Sequence, residues 1–206
     1  MFANKPIIGL AGGIGAGKSF VASLFAEMGC LVLSADAAVT EAYSEPEVCE
    51  QLKQWWGENA FDASGQVNRR WIAERVFNNT AERQRLEALI HPRVAAIRQQ
   101  KMEQKANDPA TLAFIWDVPL LFETGQDRQC DAIVFVEASL DQRLARVKAS
   151  RGWDQQELFR RENLQMPLDK KREMSDYIVV NAADAAETRR QVRDVLSRIF
   201  QLPQSK

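Results

Sequence analysis

Histidine and cysteine are scarce in this sequence, which contains one histidine and three cysteines. The cysteines, Cys30, Cys49 and Cys130, are odd in number and show no metal-ligand spacing, so we expect ordinary packing roles in a reducing compartment. No run of about 18 apolar residues occurs, which argues against a transmembrane helix. The apolar stretch near the N-terminus is too short for a signal peptide. We therefore expect a cytoplasmic protein.

The chain also lacks an excess of charge of either sign. Lys and Arg total 27 and Asp and Glu total 28, so the formal net charge is −1. This balance gives no support to a nucleic-acid or membrane partner, and we expect neither. With 206 residues, 46% of them hydrophobic, the chain can build one sizeable core and a small inserted lobe. We expect a monomer or a weak homo-oligomer.

Short and nearly continuous apolar runs recur along the chain. Such runs are typical of strands that are buried on both faces of a parallel sheet. Helical patterns lie between most of them, and Ser139 with Gln142 has the spacing of a capping box. This alternation predicts a doubly wound α/β fold. The five predicted strands cover residues 6–11, 30–35, 111–118, 131–138 and 177–180.

Two segments interrupt the alternation of strands and helices. Residues 37–110 hold helical patterns and no good strand, and Leu86, Ile90 and Ile97 are among the apolar residues that recur at helical spacing. We interpret this segment as an inserted helical lobe and the polar, basic residues 151–174 as a lid. One domain over 1–206 then has its core at about 1–36, 111–150 and 175–206. Ligand sites in such sheets lie at the carboxyl ends of the strands.

The segment "GGIGAGKS" fits the phosphate-loop pattern G-x-x-x-x-G-K-S between a predicted strand and a predicted helix. Glycines allow several backbone N–H groups to point at phosphate oxygens, and the start of the helix adds partial positive charge. Lys18 can reach the β- and γ-phosphates, and the Ser19 hydroxyl can bind Mg²⁺. Phe20 stands where threonine often follows the serine. The predicted nucleotide-binding residues are Gly12, Gly13, Ile14, Gly15, Ala16, Gly17, Lys18, Ser19 and Phe20.

Two aspartates follow predicted strands and have alternative interpretations. Asp36 ends the second strand, where its carboxylate could accept a proton from a substrate hydroxyl or could cap the next helix. Asp117 emerges from the third strand and could contact Mg²⁺ through water. An apolar step then leaves the sheet, either to hold a planar base or to anchor a buried loop. The step consists of Pro119, Leu120, Leu121, Phe122 and Glu123.

Three further residues are candidates for ligand contacts. Pro92 predicts a helix interruption or a sharp turn at His91, which as a lone histidine is more often structural than catalytic. Arg93 could contact a substrate phosphate. The segment "NAAD" at 181–184 lacks the lysine of the guanine-reading N-K-x-D motif. We therefore predict adenine as the base, with Asn181 near it.

The chain from Arg143 to Arg172 is rich in basic residues. Arginines that close over a transferring phosphoryl group can contribute roughly 10³–10⁵ in rate, and a lid that carries them excludes water. The alternative is a solvated helix face, and the basic excess favours the lid. The basic residues are Arg143, Arg146, Lys148, Arg151, Arg160, Arg161, Lys170, Lys171 and Arg172, and the acidic ones are Asp154, Glu157, Glu162 and Asp169.

Together these motifs resemble the dephospho-coenzyme A kinase family from about Ile7 to Ile199. The phosphate loop alone is shared by many families, but its combination with the other segments is much more specific. Ser34 stands where an aspartate often begins the family's pattern and leaves Asp36 as the carboxylate there. The matching segments are "GLAGGIGAGKS", "SAD", "HP", "DVPLLFE", "QRLARVKASRGW" and "RRENLQMPLDKKREMSDYIVVN".

The resemblance implies a fold and a reaction. The fold is a nucleoside-kinase-like sheet of five parallel strands in the order 2-3-1-4-5, with helices on both faces, a helical substrate lobe and a lid. The reaction is phosphorylation by ATP and Mg²⁺ of the ribose 3′-hydroxyl of dephospho-CoA, in the last step of coenzyme A synthesis. Asp36 is then the candidate base. Lys18 and Arg143 stabilise the transferring charge, and Arg143 is preferred to Arg151 and Arg161 because an extra residue separates Arg146 from Arg151.

The resemblance also divides the acceptor side between two segments. The His91 region and residues 117–123, which include the apolar step, are expected to shape the dephospho-CoA site. Two alternative functions remain open. One is a kinase of another small nucleotide-like metabolite, and the other is a nucleotide-gated regulatory ATPase.

Overall fold

A computed structural model describes residues 1–77, 79–182 and 184–201. Residues 78, 183 and 202–206, which belong to the predicted lobe, the "NAAD" segment and the end of the predicted core, lie outside the described residues. Strands β1 to β5 are Ile7–Gly12, Leu31–Ser34, Phe114–Asp117, Ala132–Glu137 and Tyr177–Val180. Helices α1 to α9 are Lys18–Glu27, Ala35–Ala42, Pro46–Trp56, Arg69–Phe77, Thr80–Lys105, Leu140–Arg151, Gln155–Glu162, Leu168–Glu173 and Ala185–Gln201.

The chain divides into two compact units. The first contains Met1–Ser34 and the chain from Gln104 onward, and the second is Ala35–Glu103. Within the described residues, no helix is both long enough and apolar enough to cross a membrane.

The strands of the first unit form one sheet in the order β2-β3-β1-β4-β5, and every pairing between them is parallel. The predicted strand order 2-3-1-4-5 and the predicted α/β fold are therefore confirmed. All residues of β1 are buried, as are the first five of β4. Burial on both faces explains why these strands are continuous apolar runs in the sequence.

Helices α1 and α9 contribute to the main core of the first unit. Phe25 of α1 and Val192 of α9 are fully buried in one apolar cluster with Ile8 and Leu10 of β1. On the sheet, Gly9 alternates with these two residues, and a Cβ at Gly9 would lie 2.7 Å from Leu121. The predicted capping box at the start of α6 is confirmed, since Ser139 and Gln142 exchange side-chain and backbone hydrogen bonds.

Two aspartates close the amino ends of neighbouring strands in the same way. The carboxylate of Asp131 accepts a hydrogen bond from Ile7 N at 2.7 Å, while Asp131 N donates to Ile7 O. Asp176 repeats both bonds with Ile133, again with a carboxylate distance of 2.7 Å. Each aspartate therefore satisfies a backbone N–H where strand pairing begins.

The second unit is helical and has its own apolar cluster. Val48 and Leu52 of α3, Ile72 of α4 and Leu86 and Ile90 of α5 are buried together. Trp55, Trp56 and Trp71 meet edge-to-face beside this cluster, with ring centroids 5.7 and 6.1 Å apart. Segregation of these apolar residues explains why the region lacks the strand pattern of the first unit.

The interruption predicted at His91 and Pro92 is wrong, because α5 continues through Pro92 from Thr80 to Lys105. Proline removes one N–H donor, but apolar packing holds the helix on both sides of it. Ile90 packs in the cluster described above, and Ile97 packs with Ala38 and Ala42 of α2. Tertiary packing thus outweighs the local preference of proline.

The prediction that Asp36 ends the second strand is wrong. Strand β2 stops at Ser34, and α2 begins at once with Ala35, so Asp36 lies in the first helical turn. The alanine-rich sequence favours the helix, and a carboxylate in its first turn is favourable to the helix dipole. Asp36 is also not the N-cap, because the cap position precedes the helix.

Candidate active site

The phosphate loop connects β1, which ends at Gly12, to α1, which begins at Lys18. Ala16 N donates to Gly13 O at 3.1 Å, which closes the turn. Gly15 and Gly17 have φ angles of 77° and 88°, in the left-handed region that favours glycine. The loop therefore has the strand–turn–helix geometry that directs backbone N–H groups at an anion.

Gly17 is also required by space. A Cβ at this position would lie 2.2 Å from the amide nitrogen of Asn181. Asn181 is buried, and its Nδ2 donates to Ala16 O at 2.7 Å. Asn181, the residue that follows β5, therefore holds the backbone of the loop in place. Asn181 was predicted to lie near the base, and in the structure its side chain contacts the loop backbone.

Arg146 supports the same part of the loop and was not identified as a site residue from the sequence. Its guanidinium donates to Gly15 O at 3.3 Å, to Ala16 O at 3.0 Å and to Asn181 O at 3.1 Å. These carbonyls belong to segments far apart in the chain. Only the position of Arg146 one helical turn after Arg143 could have suggested that it faces the loop.

Lys18 lies half-buried at the start of α1, with its Nζ 3.4 Å from Gly12 O. Burial lowers the pKa of Lys18, and the nearby carboxylate of Asp117 opposes that shift. The positive charges of Lys171 and Arg151 lower the pKa further. Several cations therefore surround the end of the loop, as a polyanionic ligand requires.

Ser19 and Asp117 form a direct contact beside Lys18. The Ser19 hydroxyl donates to Asp117 Oδ2 at 3.0 Å. Asp117 is the last residue of β3 and is paired in register with Ser34, the last residue of β2. Phe20, the next residue of α1, is 39% exposed. The carboxyl edge of the sheet thus brings a hydroxyl and a carboxylate together, which are oxygen ligands of the kind that Mg²⁺ prefers.

The apolar step after β3 packs against the sheet and reaches the lid. Leu121 and Phe122 are buried, whereas Pro119 and Leu120 are exposed. Glu123 accepts a hydrogen bond from Met166 N at 2.9 Å and forms an ion pair with Lys171 at 2.8 Å. The step therefore links β3 to Met166, which precedes α8, and to Lys171 within α8.

Lys171 is a buried cation that the sequence analysis counted only as part of the basic segment. It is 2% exposed, and its Nζ also donates to Gln165 Oε1 at 3.1 Å. Burial disfavours the ionised form of Glu123, but the hydrogen bonds from Lys171 and backbone N–H groups outweigh it and hold the pKa of Glu123 below its usual value. Glu123 is therefore ionised at neutral pH and balances the charge that Lys171 carries inside the protein.

Arg143 is buried, and an ion pair with Glu162 balances its charge. Its NH1 contacts the carboxylate of Glu162 on α7, and it lies 3.4 Å from Ile14 O in the loop. Glu162 in turn accepts a hydrogen bond from Ile14 N at 3.3 Å. The side chains of Arg143 and Glu162 are only 8% and 14% exposed, respectively. Arg143 therefore joins the lid to the loop through a carboxylate that sequence reasoning did not single out.

Three predicted site residues lie in the second unit. Asp36 is exposed in the first turn of α2, and its backbone oxygen accepts a hydrogen bond from Thr40. His91 is exposed on α5. Arg93, also on α5, forms ion pairs with Glu45 at 3.2 Å and with Glu47. Side-chain hydrogen bonding and the charge of Glu47 raise the pKa of Arg93.

Comparison with known proteins identifies relatives over nearly the whole chain. Residues 6–187 match the family described as dephospho-CoA kinase. The chain is 35% identical to the dephospho-CoA kinase of Syntrophotalea carbinolica, covering 94% of this chain and 92% of the relative. It is 37% identical to that of Rhodopseudomonas palustris, covering 96% and 98%. The crystal structure of TT1252 from Thermus thermophilus has a TM-score of 0.79 at 30% identity, covering 97% of this chain and 98% of that one.

Proposed function

Because the chain belongs to the dephospho-CoA kinase family, we propose that it transfers the terminal phosphoryl group of ATP to the ribose 3′-hydroxyl of dephospho-CoA. The products are coenzyme A and ADP. The observation that carries the proposal is the cluster of Lys18, Ser19 and Asp117 at the end of the phosphate loop, with Ser19 Oγ 3.0 Å from Asp117 Oδ2. This cluster supplies a cation and two oxygen ligands where the phosphates of a nucleotide would lie.

The phosphate loop, from Gly12 to Phe20, is proposed to bind the phosphates of ATP. Its backbone N–H groups hold the phosphate oxygens, and Lys18 neutralises the charge that develops on the transferring group. Charged side chains lie around Lys18 before any ligand binds, and they are Asp117, Lys171, Arg151 and Glu123. Preorganisation of this kind lowers the reorganisation that the reaction requires.

Mg²⁺ fits the chemistry of the two oxygen side chains at the loop. Ser19 is proposed to hold the ion directly, and Asp117 is proposed to hold it through water. Within the described residues no group of three histidine, cysteine or carboxylate side chains forms a metal site. Mg²⁺ commonly uses one or two protein ligands together with substrate phosphates and waters. When bound, the ion would neutralise charge on the β- and γ-phosphates.

Asp36 is proposed as the base that accepts the proton of the acceptor hydroxyl. It is exposed, and within the described part of the chain its carboxylate has no hydrogen-bond or ion-pair partner, so it is free to bind a substrate group. A carboxylate at this point can orient and deprotonate a hydroxyl during phosphoryl transfer. His91, Arg93 and the 119–123 step are proposed to contribute to the acceptor side.

The proposed reaction uses water-soluble nucleotides, and we place it in the cytoplasm. The small number of cysteines, with Cys30 buried in the core, supports this proposal, because a reducing compartment rarely uses disulfides. We propose that the protein acts as a monomer or a weak homo-oligomer.

The test is an ADP-release assay with Mg-ATP and, in separate reactions, dephospho-CoA, adenosine and a mixture of nucleoside monophosphates. ADP release that depends on dephospho-CoA, with one phosphate added to the acceptor by mass, is the expected result. Lys18→Ala should lower turnover while leaving the amount of folded protein nearly unchanged. Turnover with a different acceptor only would overturn the proposed substrate, and a wild-type protein without turnover would overturn the proposed reaction.

A further inference from the structure

Trp153 lies at the corner between α6 and α7, and two guanidinium groups lie over its ring. The guanidinium carbon of Arg151 is 4.7 Å from the ring centroid, and that of Arg161 is 4.2 Å from it. Both distances are within the range of cation–π attraction. One indole therefore binds two groups of like charge that would otherwise repel each other.

The backbone fixes the position of this indole. Gly152 ends α6 in the left-handed conformation, with its N–H donating to Lys148 O, and Trp153 N donates to Val147 O at 3.5 Å. Asp154 then caps α7 by accepting from Glu157 N at 2.8 Å. Trp153 is thus held between the end of one helix and the cap of the next.

The two arginines differ in their other partners. Arg161 donates to Glu157 at 2.6 Å, so part of its charge is neutralised. Among the described residues, none places a carboxylate within ion-pair distance of Arg151, whose side chain is exposed. Its helix, α6, contacts the phosphate loop through Arg146, which donates to Gly15 O and Ala16 O, and Glu162, the neighbour of Arg161 on α7, accepts from Ile14 N of the loop. Arg151 therefore adds positive charge to the phosphate-loop site without a protein anion to balance it.

We propose that Trp153 is a positioning residue that holds Arg151 and Arg161 as a pair of cations for the phosphates of the bound nucleotide. The ring offsets the repulsion between the guanidinium groups and removes rotamers that point away from the loop. Nucleotide binding then needs less ordering of two long side chains. This inference rests on the proposed function, because it assumes a kinase that uses ATP. It concerns the binding of the nucleotide and not that of the acceptor.

The test compares ADP binding by calorimetry for the wild type, Trp153→Leu, Trp153→Phe and Arg151→Ala. Leucine should weaken ADP binding about fivefold, because the cation–π attraction is lost, and phenylalanine should restore most of the affinity. Phe159→Leu is the matched control, since Phe159 is a partly exposed aromatic residue of the adjoining helix α7. It should bind ADP as the wild type does.

A double variant tests whether Trp153 acts through Arg151. Adding Arg151→Ala to Trp153→Leu should weaken binding by a smaller factor than Arg151→Ala does in the wild type. Equal factors, or a Trp153→Leu protein with wild-type affinity, would overturn the proposal. If Trp153→Leu does not fold, tryptophan fluorescence provides the test. The difference in emission between the wild type and Trp153→Phe reports on Trp153, and ADP should change that difference. An unchanged difference contradicts the inference. These measurements need no acceptor, so their failure is distinct from failure of the dephospho-CoA assay.

Discussion

The side-chain amide of Asn181 donates to the carbonyl of Ala16 at 2.7 Å, which ties the end of β5 to the phosphate loop. Arg146 completes this support by donating to both Ala16 O and Asn181 O. A residue in this position orients the loop backbone whatever base the nucleotide carries. The sequence instead predicts that Asn181 lies near adenine, and the two roles have different consequences for nucleotide binding.

Asn181→Ala should raise the KM for ATP and the KM for GTP by the same factor. The reason is that the lost hydrogen bond loosens the loop, which contacts phosphates common to both nucleotides. The variant should also be about 1–2 kcal/mol less stable to urea, because a buried hydrogen bond is removed. Steady-state assays with each nucleotide provide the measurement. A loss confined to ATP would instead support a contact with the base.

Gly17→Ala should abolish nucleotide binding. The new methyl group would lie 2.2 Å from Asn181 Nδ2, so either the loop or Asn181 must move. Gly65→Ala is the matched control, because Gly65 also has a positive φ, 79°, but a Cβ there meets nothing within 4 Å. Both variants carry backbone strain of about 1 kcal/mol, and only the first should lose ADP binding by calorimetry. Similar binding by both would show that the space at Gly17 is not limiting.

Asp36→Asn should retain ATP binding and lose about 10²- to 10⁴-fold in turnover with dephospho-CoA. Asparagine preserves the size of the side chain and its place in the helix but cannot accept the proton. Asp141→Asn is a suitable control, because Asp141 also lies in the first turn of a helix and is exposed. Normal turnover by Asp36→Asn would exclude Asp36 as the base.

Glu123→Gln should destabilise the protein in a pH-dependent manner. It leaves the buried ammonium of Lys171 without its counter-charge, which typically costs about 3 kcal/mol. Because the pKa of Glu123 is lower in the folded protein, its ionised form stabilises the fold at pH values above its unfolded pKa of 4.5. That contribution is lost as the pH falls through the folded pKa.

Urea unfolding at pH 7, 5 and 3.5 measures this dependence. The stability difference between the wild type and Glu123→Gln should be full at pH 7 and smaller at pH 3.5. Glu58→Gln serves as the control, since its ion pair with Lys53 is exposed and should contribute less than about 1 kcal/mol. A difference that stays constant with pH would show that the charge of Glu123 is not what stabilises Lys171.

The features that could be predicted from the sequence are local ones. The phosphate loop and the Ser139 capping box depend on residues close together in the chain, and the apolar runs located the strands to within a few residues. The strand order came from the family resemblance. Pro92 was misassigned because tertiary packing carries α5 through it, and Asp36 was misassigned because the alanine-rich segment starts α2 directly after Ser34.

The contacts that sequence reasoning missed join distant segments. Glu123 meets Lys171 and Arg143 meets Glu162 only once β3, α6, α7 and α8 have folded onto one another. Asp131 and Asp176 each precede an apolar run, and that repeated spacing is the one sequence signal that could have identified their role at the strand ends. In the basic segment, only the spacing of Arg143 and Arg146 offers a comparable signal, and nothing in the sequence separates the roles of Arg143 and Arg151.

The sequence favoured Arg143 over Arg151 as the residue that stabilises the transferring phosphoryl group. From the contacts of the two side chains, we expect Arg143 to act mainly on stability and Arg151 mainly on nucleotide binding. Arg143→Ala removes the partner of Glu162, whose side chain is 14% exposed, and should lower the free energy of unfolding by about 3 kcal/mol. Arg151→Ala removes an exposed cation and should change stability by less than about 0.5 kcal/mol while weakening ADP binding. Urea unfolding and calorimetry on both variants test this. If Arg143→Ala were as stable as the wild type and lost only turnover, Arg143 would act on the transferring phosphoryl group, as its place in the motif first indicated.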